Sequence, residues 1–239
     1  MGRTIVVGDV HGCLRELEAL LAEVRPDPGD DLWFLGDLVN RGPDSAGVVR
    51  LVRSLGARMV QGNHDHKHVR YRRHLQRLAS GPGYRIPMHP PEPFLAVHRT
   101  LSDEDVDWLE AAPAVAPLGR HFALVHAGLV PGRPLGDQPA PRTLRYLDRE
   151  SGRMVDLAAH DAAPGRTVHW SERWTGPRCV LYGHHAQPEA VVRALSIGID
   201  TGAVYGGKLT AAVLGSLERD SRPRLVQVAA ARAYYRGRA

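Results

Sequence analysis

The sequence predicts an α/β fold, assigned to α+β in some schemes, in which a central β-sandwich is flanked by helices and carries a small helical and loop cap. Two observations point there. Three β-type runs, "RTIVVGDVHG", "DLWFLGDLVNRG" and "ARMVQGNHDH", each end in a glycine-bearing polar knot and alternate with helical patterns. Further on, five β-type runs follow, the last of them without helical spacers, which suggests a meander-like second sheet packed on the first.

Taken in order, the first helical pattern covers Leu14 to Val24, with apolar residues at Leu14, Leu17, Leu20, Leu21 and Val24. The second covers Ser45 to Leu55, with Val48, Val49, Leu51 and Val52. Residues 66–101 break the rhythm and read as a cap inserted between core strands. Ser102 followed by Asp105 predicts a capping box for a short helix through Glu110. The later strands are "HFALVHAGL" (121–129), "RCVLYGHH" (178–185), "LSIGIDTG" (195–202), "KLTAAVLGS" (208–216) and "PRLVQVA" (223–229). The tail "AAARAYYRGRA" is expected to be partly disordered. At 239 residues the chain is near the upper limit for one core, so one domain spanning 1–239 is expected, with a cap-like insertion at about 66–101.

Bulk properties exclude several classes. The apolar runs fall far short of the ~20 residues that a membrane-spanning helix needs, and a carboxylate interrupts the N-terminus before a signal peptide's apolar stretch could form. Cys13 and Cys179 are the two cysteines and cannot build a disulfide framework. A cytoplasmic protein is therefore expected. The formal charge is +5 and the pI near 9.5, yet the basic residues are nearly all arginine, the only lysines being Lys67 and Lys208. A GC-rich coding sequence accounts for that skew without an anionic partner.

In an open α/β sheet, functional groups gather beyond the carboxyl ends of the strands. The polar knots fall there: Asp9 and His11 after the first run, Asp37 after the second, and Asn63, His64 and Asp65 after the third. His126 and His184 end two later runs. Taken singly, such an Asp is more often a turn or cap residue, and such a His a packed or solvated one. Together, two Asp, three His and one Asn, with His64 to spare, exceed the needs of a single proton-transfer site. Mixed carboxylate, imidazole and amide donors suit manganese, iron or zinc. Two such ions about 3.5–4 Å apart would clamp the attacking and leaving oxygens of an in-line phosphoryl displacement. One carboxylate must then bridge them, and Asp37 on the central knot is the candidate.

In this order, "GDVHG", "GDLVNRG", "GNHD", "HAG" and "GHH" resemble the motifs of the binuclear metallophosphoesterases. The likeness is to their phosphoprotein phosphatase branch, with its bacterial serine/threonine protein phosphatases and symmetrical diadenosine tetraphosphate hydrolases. It runs from Asp9 to about Thr210, and "GIDTGAVYGGKLTA" looks like the closing segment of the bacterial members. The resemblance implies a metallophosphoesterase-like sandwich that holds two divalent ions, manganese favoured, with iron, zinc, cobalt or nickel as alternatives. It implies Asp9 and His11 on one ion, Asp37 bridging, and Asn63, His126 and His184 on the other. His64 matches the general acid, and a metal-bound hydroxide is the implied nucleophile. Arg41 matches a phosphate-binding arginine, whose planar fork suits phosphate oxygens. A second such arginine is expected between the last two histidine ligands, with Arg173 as the candidate and Arg166 and Arg178 as alternatives. His185 reads as packing behind His184, and His66, His68 and His74 as residues of a solvated helix face or the cleft rim.

Asn40 stands where eukaryotic-type protein phosphatases carry an aspartate that pairs with the acid histidine. An amide can hold the ring but brings no charge to stabilise an imidazolium, so His64 is expected to have a lower pKa than an aspartate partner would give it. A polyphosphate leaving group needs less help from an acid than a serine alkoxide does. The resemblance therefore implies a hydrolase of dinucleoside polyphosphates that cuts diadenosine tetraphosphate to ADP. A phosphoprotein phosphatase, or dual activity, is the alternative. "RYRRHLQR" (70–77) is a candidate for meeting the phosphate chain, and Tyr71, Tyr84 or Phe94 for stacking on adenine. A nuclease of the same superfamily fits "GDLVNRG" less well. The non-enzyme alternative is a basic nucleic-acid-binding protein with a degenerate metal site. Against it, no ligand position is lost, and aromatic residues are 6% of the chain, thin for stacking platforms. Neither a membrane nor a stable nucleic-acid partner is expected.

Overall fold

The computed structural model describes residues 2–81 and 83–237. Along the chain run β1 (Thr4–Val7), α1 (Leu14–Val24), β2 (Asp31–Phe34), α2 (Ser45–Ser54), β3 (Arg58–Met59), α3 (Asn63–Ser80), α4 (Glu92–Thr100) and α5 (Asp103–Ala111). Then follow β4 (Val115–Leu118), β5 (Phe122–Val125), β6 (Tyr146–Asp148), β7 (Met154–Val155), α6 (Leu157–Ala162), β8 (Thr167–His169) and α7 (Trp170–Arg173). The last strands are β9 (Cys179–Tyr182), β10 (Val191–Val192), β11 (Ser196–Gly198), β12 (Lys208–Leu214) and β13 (Arg224–Ala229).

Side chains along a strand alternate between faces, and in β1 both faces are apolar: Ile5 and Val7 turn one way, Val6 the other. Such a strand must be covered on both sides. The first sheet, ordered β13-β12-β1-β2-β3, meets that need with helices on one face, where Leu17, Leu20, Val48, Val49, Val106 and Leu109 are buried. Its other face packs Val6, Trp33 and Leu35 against Phe122, Leu124 and Leu181 of the second sheet, ordered β10-β11-β9-β5-β4. Ala123, Val125, Val180 and Tyr182 on the far face of the second sheet gather round the fully buried Trp170. A small sheet, β7-β6-β8, lies beside that cluster through Leu147 and Val168.

The strands β1, β2 and β3 are parallel, and so are β5, β9 and β11. The carboxyl ends of each set therefore collect at one end of its sheet. This corrects the expected meander. The second sheet is parallel at its centre, and β12 and β13 return to the first sheet, β12 pairing antiparallel with β1. The crossover from β5 to β9 is built from loops, the small sheet and the short helices α6 and α7, and that from β9 to β11 from loops and β10, so no long amphipathic helix announces them.

Local signals set the helix starts. Asp44 Oδ1 accepts from Gly47 N at 2.7 Å ahead of α2, and Ser102 and Asp105 exchange both bonds of the capping box at α5, at 3.1 and 3.0 Å. Helix α3 starts inside the third knot, so Asn63 and His64 occupy its first turn. Its packing overturns one expectation. His68 is fully buried, stacked on Phe94 of α4 with ring centres 4.1 Å apart, because α4 covers that side of α3. Tyr71 and Phe94 pack edge to face at 5.6 Å, and Tyr84 pairs with His74, so these rings are engaged in packing. Part of the tail is anchored on the fold, since Glu16 Oε1 accepts from Ala231 N at 3.0 Å and from the Tyr234 hydroxyl at 2.8 Å, and Val204 O accepts from Tyr235 N at 3.0 Å. Residues 238 and 239 lie outside the described residues. Among the described residues no helix is long and apolar enough to cross a membrane.

Candidate metal centre

The strand ends of the two sheets converge on one cluster. Asp9 and His11 leave β1, Asp37, Asn40 and Arg41 leave β2, and Asn63 and His64 follow β3, while His126 and His184 follow β5 and β9. Six non-glycine residues among those described have positive φ, and five of them are His11, Asp37, Asn40, Arg41 and His184. Each such residue costs of order 1–3 kcal/mol, so the surroundings must impose the conformation. Asp65 supplies part of that constraint: its buried carboxylate accepts from the N–H groups of Asp37, Leu38 and Gly62 at 2.8, 3.0 and 3.0 Å. Two glycines allow the approach. A Cβ on Gly62 would lie 2.2 Å from Asp37 Oδ1, and one on Gly183 would lie 2.0 Å from Asp9 Oδ1.

Asp37 is at the middle. Its Oδ2 lies 3.5 Å from His11 Nε2 and also 3.5 Å from His126 Nε2. The other ring nitrogens meet backbone carbonyls, His11 Nδ1 at 3.0 Å from Val39 O and His126 Nδ1 at 2.8 Å from Leu35 O. Those carbonyls fix the Nδ1–H tautomer and aim each Nε2 lone pair into the cluster. There His126 Nε2 sits 3.0 Å from Asn63 Oδ1 and 3.1 Å from His184 Nδ1. Acceptor atoms thus converge on one another, an arrangement that a cation satisfies. Two triads, His11–Asp37–His64 and Asp37–His126–His184, have donor atoms all within 4.8 Å of one another, and Asp37 belongs to both.

The electrostatics agree. Burial holds the Asp9 carboxyl well above the usual range, with the charges of Asp200 and Asp37 adding to it. Burial also pushes Asp37 up to about 7 and Asp200 up to about 6. The imidazoles move the other way, His11 down to about 3 and His126 down to about 4, again chiefly through burial. Burial here penalises both carboxylate and imidazolium, and divalent cations resolve both demands by compensating the carboxylates and binding the neutral imidazoles. Arg41 complicates the picture at His11: its Nη1 donates to His11 Nε2 at 2.8 Å, the lone pair a metal would take, so the two occupancies exclude each other.

His64 differs from the other rings. Its Nδ1 lies 3.2 Å from Asn40 Nδ2, Asn40 Oδ1 lies 3.0 Å from His68 Nε2, and His68 Nδ1 lies 3.1 Å from His98 Nδ1. With the amide oriented this way, Asn40 donates to His64, whose proton is then on Nε2, a donor rather than a ligand atom. Burial, then the charges of His11 and Arg41, pull the His64 pKa far down. Replacing Asn40 with Asp puts a carboxylate at this ring, and the pH limb of kcat assigned to His64 is expected to move upward. An unmoved limb would refute the contact.

The other sequence candidates divide. Arg41 stands with its guanidinium 5.5 Å from the ring centres of both Tyr205 and Tyr235, so the packed tail helps hold it. Arg173 is not brought to the cluster: it is exposed on α7 and donates to Arg149 O at 3.4 Å. Arg166 is exposed too, and Arg178 donates to Phe122 O at 3.1 Å, at the opposite end of β5 from His126. Arg145 is the arginine at the centre, donating to His184 O at 3.1 Å and lowering the Asp37 pKa against its burial. It was missed because it precedes β6 with no motif of its own. Asp200 was missed as well, although "GIDTG" marked its place after β11; it is buried, and its charge acts on Asp9. His185 packs against His169, with ring centres 5.3 Å apart.

A family model described as calcineurin-like phosphoesterase matches residues 2–207. A protein of Pectobacterium atrosepticum named symmetrical bis(5'-nucleosyl)-tetraphosphatase is 45% identical, over 87% of this chain and 90% of that one. One of the same name from Serratia proteamaculans is 35% identical, over 87% and 89%. The solved structure of a candidate diadenosine tetraphosphatase superposes with a TM-score of 0.77 at 32% identity, covering 96% of this chain and 94% of the other. A protein serine/threonine phosphatase of Saccharomyces cerevisiae, at 14% identity and a TM-score of 0.54 over 94% and 79%, shares the fold. The converging donors, the charge deficit and these matches place the chain in the calcineurin-like phosphoesterase family, as a metal-dependent hydrolase built to bind a pair of divalent ions.

Proposed function

We propose that the chain hydrolyses dinucleoside polyphosphates, cutting diadenosine tetraphosphate symmetrically into two molecules of ADP. The observation that carries this substrate is the 35–45% identity, over 87% of the chain, to relatives named for that activity. Asn40 in place of an aspartate beside His64 supports it, because a phosphoanhydride leaves with less proton assistance than an alkoxide.

In this reading Asp9, His11, Asp37, Asn63, His126 and His184 would hold the two ions, with Asp37 shared between the two ligand sets. Manganese suits these mixed oxygen and nitrogen donors. When bound, the ion pair supplies the Lewis acidity that polarises the phosphoryl group and lowers the pKa of the attacking water. Arg41 and Arg145 donate to the phosphoryl oxygens from two sides. Tyr205 and Tyr235 keep the Arg41 fork oriented. The bond from water oxygen to phosphorus forms as the bridging P–O bond breaks and the water's proton passes to solvent; His64, protonated with Asn40 Oδ1 turned to accept from its Nδ1, gives the Nε2 proton to the departing oxygen and is left neutral. The buried free thiols Cys13 and Cys179 fit a reducing cytoplasm.

Chromatography of the products of manganese-loaded protein tests the proposal. ADP as the sole early product of diadenosine tetraphosphate is expected. Intact dinucleotide alongside cleaved phosphopeptides would replace this reading with a protein phosphatase.

A further inference from the structure

Beside the centre, on the α3 side, lies a cavity of about 370 Å3 lined by Asn63, His66, Lys67, Arg70 and Arg142, with Met88 to Pro90 across from them. Asn63, His66, Lys67 and Arg70 are spaced three and four residues apart, so they share one face of the helix. Among the described residues no carboxylate lines this cavity. Two neighbouring arginines of the same helix are compensated, since Arg72 Nη2 and Arg73 Nη2 both pair with Glu110 at 2.5 Å. Among the described residues, Lys67, Arg70 and Arg142 make no ion pair. Lys67 Nζ sits 4.9 Å from the Phe94 ring centre, and Arg142 is half-buried with its Nε–H enclosed and without an acceptor.

Three unpaired cations around one hollow repel each other, and an enclosed guanidinium N–H without a partner has lost its hydrogen bond to water with nothing in return. An arrangement of this kind is stable at lower cost with an anion in place. Its position says which anion. The cavity begins at Asn63 and continues along the helix from His64, and the charge of Lys67 reaches the His64 ring. In the proposed reaction His64 gives its proton to the leaving oxygen, and the hollow then lies where the leaving group departs.

We propose that this cavity is the subsite for the leaving half of the substrate, with Arg142, Arg70 and Lys67 holding the phosphates of the departing nucleoside diphosphate. The inference rests on the dinucleoside polyphosphate reading and explains its selectivity. A departing nucleoside diphosphate carries several negative charges, and guanidinium groups at the site stabilise the charge that grows as the P–O bond breaks. A departing serine hydroxyl carries none and gains nothing there. The second cavity along α3, which Arg70 also lines together with Arg77 and Tyr84, continues away from the centre and leaves space for the attached nucleoside.

The test compares substrates within one protein. For manganese-loaded Arg142→Gln and Arg70→Gln, the ratio of kcat/KM on diadenosine tetraphosphate to that on p-nitrophenyl phosphate is expected to fall at least about tenfold. Arg50→Gln, which removes an exposed charge on α2, is expected to keep the ratio within about twofold and so controls for net charge. Calorimetric titration of ADP into metal-free protein gives a reading independent of turnover, and Arg142→Gln is expected to weaken it about tenfold and to flatten its salt dependence. An unchanged ratio with unchanged ADP affinity overturns the subsite, as does an equal loss on both substrates. Should the unsubstituted protein leave diadenosine tetraphosphate intact, the substrate reading fails, and the ADP titration alone decides the subsite.

Discussion

Asp37→Asn is expected to lower kcat by about 10³-fold or more and to strip metal from the protein. Its Oδ2 is 3.5 Å from a ring of each candidate ligand set, and an amide oxygen shared by two cations lacks the charge that holds them together. Losing about 4 kcal/mol of transition-state charge stabilisation corresponds to that factor. Metal content measured after gel filtration, alongside steady-state kinetics, checks it; a variant that retains two ions and normal turnover would remove Asp37 from the bridge. Stability should move the opposite way in metal-free protein. Burial raises the Asp37 pKa to about 7, so the folded state binds more protons than the unfolded one between about 4 and 7. Its contribution to stability therefore declines as pH rises through that window. At pH 8 the metal-free Asn variant is expected to melt at or above the unsubstituted protein, and the order should reverse once manganese is added. An Asn variant that melts lower in both states would contradict this account.

His64→Asn is expected to be the second large effect, with a different signature. Metal content should be retained, because Asp9, His11, Asp37, Asn63, His126 and His184 remain. General acid catalysis contributes roughly 10²–10⁴-fold, and it matters most where the leaving group is a poor one. The loss should be near the upper figure for an alkyl phosphate and small for 2,4-dinitrophenyl phosphate. Equal losses across such a series would show that His64 does not give up a proton in the step that is measured. The buried chain behind it gives the ring its direction. As oriented, Asn40 donates to His64 Nδ1, whereas an imidazolium needs Asn40 Oδ1 there as an acceptor. Turning the amide moves Nδ2 onto His68 Nε2, so His68 must shift its own proton to Nδ1, towards His98. The protonation of His64 is thus tied to the tautomers of two other histidines.

Much of this site was legible before any coordinates. Carboxylate and imidazole residues directly after apolar strands can be located from pattern alone, because a strand's end and its first loop residues are adjacent in sequence. Asp9, His11, Asp37, Asn63, His126 and His184 were found that way, and the structure gathers them. Residues without a motif were not legible. Arg145 reaches the centre from a loop ahead of β6, and Arg173, nearer in sequence to His184, does not reach it. His68 looked like part of a charged helix surface, and only the covering helix α4 makes it a buried link.

By itself the sequence determined the strand ends, the donor inventory and the helix caps, since each depends on a few neighbouring residues. The tertiary structure decided which sheet β12 and β13 join, which arginines face the centre and which cations are left unpaired. Those are outcomes of distant packing. Lys67, Arg70 and Arg142 carry the same charge as Arg72 and Arg73, and the positions of Asp107 and Glu110 separate the compensated pair from the three that line the cavity.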